Sequence, residues 1–202
     1  MFYVSYFVIF FFLLIRRPPR ATQDVPSSVS DVYKRRVKAI YLGQFEEITL
    51  TASGGEVTDI EMGTDTLFKY TCKRGVASIT ETVNASSEAG TVFYTHSCNF
   101  KFNKLSKEYQ NELKMLAQNR LIVFAELNEL NNDGYNTILC LGGTNGLELT
   151  SGTGASGAAL GDMNGYDWTL EGSENNPMDE VTNDAGAGLG NAAFTMGTIV
   201  TS

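Results

Sequence analysis

Apolar and polar residues alternate along most of the chain from Val37 onward, and clusters of turn-forming residues interrupt the alternation at intervals. A period of two puts successive side chains on opposite faces of a strand, so the pattern predicts sheets with one face buried. Residues 45–51 read as a strand closed by Gly54-Gly55. Residues 56–62 follow, with Val57 out of step with Ile60 and Met62, as at a β-bulge. Further strands are predicted at 67–73, 77–83, 121–127, 135–141, 147–150 and 166–172, with another over 194–200. The longest, 91–102, sets Val92, Tyr94, His96, Cys98, Phe100 and Phe102 on one side. Asn131-Asn132-Asp133-Gly134 predicts a hairpin turn, because these residues tolerate positive φ. The period changes only over SKEYQNELKMLAQNR, where Tyr109, Leu113, Leu116 and Arg120 recur at helical spacing and Ser106 can cap the first turn. The expected fold is mainly β, sandwich or barrel-like, with one packed α-helix at about residues 106–119.

Two stretches depart from this pattern. Residues 151–165, SGTGASGAALGDMNG, are too small and polar to hold a core and read as a long surface loop. At the N-terminus, FYVSYFVIFFFLLI precedes Arg16, Arg17 and Arg20, whereas a secretory signal puts its positive region first. The apolar run is also shorter than the roughly 20 residues that cross a bilayer. IRRPPR resembles a translated sequencing-library adapter, and DVYKR at 31–35 resembles the translated end sequence of transposase library kits. Residues 1–35 are therefore expected to be a non-native segment. The domain is expected over 36–176, followed by an acidic, then Gly/Ala-rich tail over 177–202 that ends in a strand.

Charge sharpens the picture once that segment is set aside. It holds five basic and two acidic groups, a surplus of three, so the net charge of -8 becomes -11 for the remainder. An acidic body argues against neutralising the phosphates of a wrapped nucleic acid. Cys72, Cys98 and Cys140 are odd in number and widely spaced, which favours reduced thiols acting as small hydrophobes.

Candidate chemistry is sparse. His96 is the single histidine; a couple with Cys98 or Cys140 is conceivable, but its place on a buried strand face favours a structural role. Asp162-Met163-Asn164-Gly165 has oxygen ligands and a glycine but not the spacing of a calcium loop, so a self-satisfied turn is expected. GTNG and GTGASG lack the lysine and helix of a phosphate loop. Adjacent carboxylates such as Glu46-Glu47 point to opposite faces. No catalytic, cofactor-binding or metal-binding residue is expected, and the chain is read as a binding or assembly protein, not an enzyme.

From FNKL at 102–105 the order is a short amphipathic helix, a hydrophobic strand, an NDG hairpin, the Leu141-Gly142 turn, a loop ending Gly161-Asp162, and Asn164-Gly165-Tyr166 opening a Leu-Glu-Gly strand. This layout resembles tail-tube-like structural proteins of tailed bacteriophages, especially gut Bacteroidota phages, over residues 37–175. The resemblance implies a β-sandwich subunit with a flanking helix, made in the host cytoplasm and incorporated in the virion. Its partners would be copies of itself, in stacked and commonly six-fold rings, together with other virion proteins. DNA would be only a cargo conducted through the bore, whose acidic lining would keep it from sticking. Gly152, Gly154, Gly157, Gly161, Asp162, Asn164 and Gly165 then become candidates for an inter-ring loop that orders on assembly. The alternative is a bacterial surface or adhesive β-domain anchored by the N-terminal hydrophobic segment.

Overall fold

The computed structural model of the protein describes residues 36–63, 66–72, 76–88, 90–103, 105, 107, 110–111, 114, 117–159, 162–182, 189 and 198–201. The adapter-like segment and the hydrophobic anchor of the alternative reading both lie outside the described residues. Among the described residues, no helix is long and apolar enough to cross a membrane.

The chain is mainly β, as expected, in two sheets. Strands β1 (Val37–Gln44), β2 (Thr49–Ser53), β3 (Glu56–Glu61), β4 (Thr66–Thr71), β7 (Leu121–Leu130), β8 (Asn136–Leu141), β11 (Asp179–Val181) and β12 (Thr198–Thr201) form one of them, in the order β12-β4-β1-β7-β8-β11-β3-β2. Strands β5 (Ala77–Ser86), β6 (Thr91–Asn103), β9 (Glu148–Ala155) and β10 (Gly165–Glu174) form the second, in the order β5-β6-β10-β9.

Chain reach shows that the eight-stranded sheet is curled. β1 and β2 lie five places apart in the sheet, about 24 Å if it were flat. Yet Thr49 follows Gln44 by five residues, which span at most about 18 Å fully extended. The β3–β4 connection imposes the same limit. The sheet must bend until its ends approach, and its concave side then encloses a core of its own. Tyr41, Val57, Ile60, Met62, Leu67, Ile122, Phe124, Ile138 and Val181 fill it. Its opposite face, carrying Ile40, Leu42, Val123, Ala125 and Leu141, packs on Cys98, Phe100, Trp168 and Leu170 of the four-stranded sheet. β7 serves both cores, which is why Leu121 to Leu127 are all buried instead of alternating.

Several expectations change. Residues 45–47 form a single 3-10 turn, not the start of a strand, and Arg120 stacks on the Phe45 ring at 4.8 Å. The bulge is present: Thr51 faces Asp59 and Ala52 faces Val57, leaving Thr58 without an opposite residue. The packed helix at 106–119 is not supported. Lys107, Gln110, Asn111 and Lys114 have helical backbone but are exposed, and Tyr109, Leu113 and Leu116, its expected buried stripe, lie outside the described residues. Beyond residue 176, β11 pairs with β8 and β3, and β12 with β4, so the described parts of the tail join the curled sheet. Short strands such as these carry too few residues for a period to be read. Of the strand expected over 194–200, residues 194–197 lie outside the described residues and the remainder belongs to β12.

Candidate functional site: an open four-stranded sheet and a buried histidine cluster

The Gly-rich segment is a hairpin. β9 runs through Gly152 and Gly154 to Ala155, which pairs with Gly165 at the start of β10. The surface loop therefore shrinks to the residues between these two strands. Gly152 and Gly154 face Trp168 and Tyr166: a β-carbon would sit 3.5 Å from the indole Nε1 at Gly152 and 3.0 Å from the Tyr166 ring at Gly154. The rings lie across the bare strand and stand in for its missing side chains. That use of glycine, as a seat for aromatic rings, hides strand character from a count of apolar residues.

The remaining loop candidates divide. Gly157 takes positive φ, and the Asp162 carboxylate accepts from the Ala158 and Ala159 amides at 2.9 and 2.8 Å, which precede it, not from amides of the turn expected over 162–165. Those two amides hold its carboxyl below the usual range. Asn164 is exposed, Gly161 lies outside the described residues, and Gly165 is buried where a β-carbon would overlap the Phe102 carbonyl. Among the described residues, no three His, Cys, Asp or Glu side chains are placed to hold a metal ion.

The outer face of the four-stranded sheet is polar and mostly uncharged. Thr95, Ser97 and Asn99 of β6 run beside Ser78, Thr80 and Thr82 of β5 and beside Thr169 and Ser173 of β10. Asn99 donates to Asp167 and Thr169, both at 3.0 Å, and Ser97 donates to Glu171 at 3.3 Å. Lys101 pairs with Asp167 at 2.8 Å, and its hydrogen bond holds that carboxyl below its ordinary range. Glu148 and Glu171, paired side by side, add acid. β5 and β9 form the two edges, and among the described residues neither pairs with a further strand. The β5–β6 hairpin also runs past β10, whose pairing with β6 stops at Tyr94. Val83, Val92 and Phe93 there are 58%, 57% and 41% exposed, so the buried face predicted for β6 begins only further along the strand.

The reactive residue types lie on the inner side. Cys98 is fully buried with its thiol pushed up to about 12, mainly by burial, and Cys140 is raised further by burial and by Asp179 and Glu174. Cys72 is pushed up to about 11 by burial. All three are free, and none has the depressed pKa of a thiolate nucleophile. No hydrogen bond joins His96 to a thiol among the described residues; the Gly142 amide donates to its Nδ1 at 3.4 Å. Glu174, also buried, accepts from the Thr144 and Asn145 amides at 3.1 and 3.0 Å. Sequence reasoning missed this carboxylate, although GGTNG followed by a lone acid at the end of a strand was a usable sign.

Glu126 is a second unforeseen buried acid. Lys38, Tyr41 and Asn136 donate to it at 2.5, 3.0 and 2.8 Å. Burial alone would raise its pKa, but these three donors together outweigh that and hold it below the ordinary value. Comparison with known protein families, curated proteins and solved structures gives no match for this chain.

Proposed function

We propose that this protein is a self-assembling virion structural subunit of a tailed bacteriophage, a tail tube protein or an adjoining ring protein. The observation that carries the reading is the four-stranded sheet whose two edges, among the described residues, pair with no further strand. Its four strands are antiparallel throughout, so β5 and β9 run in opposite senses. A head-to-tail contact between β9 of one copy and β5 of the next would therefore continue the antiparallel ladder, and a contact of that kind forms a ring when its rotation closes. Natural monomers usually guard open edges with lysine or proline; β9 has neither. The hydroxyl-rich outer face, with Lys101 balanced by Asp167 and further acid at Glu148 and Glu171, would line a bore without gripping phosphates. Stacked rings, commonly six-fold, would conduct DNA as cargo.

Sedimentation and negative-stain microscopy of the full-length chain test the proposal. Rings or stacked tubes are expected at high concentration, and Thr153→Lys at the open edge should abolish them while leaving the melting temperature unchanged. A chain that stays monomeric at high concentration, or rings indifferent to Thr153→Lys, would overturn it.

A further inference from the structure

His96 is the single histidine and is only 2% exposed, at a junction of five segments. On β6 it stands directly between Glu81 of β5 and Gly172 of β10. The Gly142 amide, in the turn after β8, donates to Nδ1, so in the neutral ring the proton sits on Nε2. Among the described residues Nε2 makes no hydrogen bond, although Glu81 Oε2 lies 3.5 Å away. The charged groups around the ring are Glu81 from β5, Glu174 from β10 and Asp179 from β11; the Asn176 carbonyl faces it as well. Glu81 is itself engaged, accepting from the Met178 amide at 2.6 Å just before β11.

We propose that His96 is a proton-operated latch that fastens the Gly142–Gly146 turn to the sheet junction at neutral pH and releases it on acidification. A second proton must go onto Nδ1, where the Gly142 N–H already points, and two donors cannot face each other across one hydrogen bond. The protonated ring is kept by expelling the Gly142 amide. The same turn supplies the Thr144 and Asn145 amides to Glu174, so its release would also uncover a buried carboxylate. Three carboxylates attract the proton, but burial, the largest effect, outweighs them and lowers the pKa of the ring from its ordinary 6.5. The closed turn therefore favours neutral histidine. Its closing strength is complete above 6.5 and is lost as the pH falls below that value toward the lowered pKa. The latch does not depend on the assembly reading, since it lies within one chain.

A single histidine makes the test direct. Side-chain nitrogen NMR of the full-length protein at pH 7.5 should show the Nε2–H tautomer. Below pH 6.5, exchange of the Gly142, Thr144 and Asn145 amides, corrected for intrinsic rates, should accelerate about tenfold per pH unit, the signature of one linked proton. His96→Asn, whose side-chain oxygen can accept from Gly142 but cannot take the proton, should abolish the acceleration. An Nδ1–H tautomer, unaccelerated amides in the wild type, or acceleration that persists in His96→Asn would overturn the proposal. Should that variant fail to fold, the wild-type tautomer and amide rates decide it alone.

Discussion

The two sheets use their faces differently. The curled sheet buries both: one face encloses its own core, and the other is covered by the four-stranded sheet. The four-stranded sheet buries only the face that carries Cys98, Phe100, Trp168 and Leu170; its other face is a hydroxyl and amide surface, and its hairpin tip exposes Val83, Val92 and Phe93. Apolar burial contributes about 25 cal/mol per Å², and strands of the curled sheet supply most of the buried apolar residues of both cores. The four-stranded sheet leaves one face exposed, and among the described residues its two edges pair with no further strand. Burial is thus divided unequally between the two layers.

That division can be broken at three levels. The largest effect is expected where the layers' own strands meet most closely. Gly165→Ala would force a β-carbon into the Phe102 carbonyl at the β6–β10 ladder, with rigid backbone that cannot give way. A loss on the order of 4 kcal/mol or failure to fold is expected, measured by thermal or urea unfolding followed by circular dichroism. Gly54→Ala, where nothing lies within 4 Å, isolates the cost of positive φ and should lose only about 1 kcal/mol.

Next comes the contrast between the sheets themselves. Phe124→Ala, in the core of the curled sheet, should cost about 3–5 kcal/mol in the same assay. Phe93→Ala on the exposed hairpin should change stability by less than about 0.5 kcal/mol. Equal losses at the two sites would refute the division.

A smaller effect than the Phe124 truncation concerns the buried acid of the curled sheet. Glu126→Ala leaves the Tyr41 hydroxyl without its acceptor and should cost about 2 kcal/mol at pH 7. Because the folded-state pKa of Glu126 is lowered, its contribution is present above the unfolded value near 4.5 and fades as the pH falls through the folded one. The difference in stability between Glu126→Gln and wild type should accordingly shrink on acidification below pH 4.5, as followed by urea unfolding at a series of pH values.

Most strands were legible because a half-buried strand writes its burial into the alternation of its residues. β6 shows this; β7 and β8 were legible instead from their apolar runs on either side of the NDG turn, where the Asn131 side chain accepts from the Asp133 and Tyr135 amides. The candidate site was less legible. Gly152 and Gly154 read as loop because what makes them strand is the pair of rings lying over them, supplied by a partner strand 14 or so residues away in sequence. Residues 45–47 read as strand, but in the short connection from β1 to β2 they form a 3-10 turn.

By itself the sequence determined that this is a mainly β chain, where its longer strands run and where its hairpin turns, because these follow from residue period and from local backbone freedom. Only the tertiary structure decided that one sheet curls around its own core, that β11 and β12 complete it, and that His96, Glu174 and Glu126 become buried polar junctions. Those outcomes depend on which strands meet across about 30 to 130 residues of chain, and no local pattern of residues records such meetings.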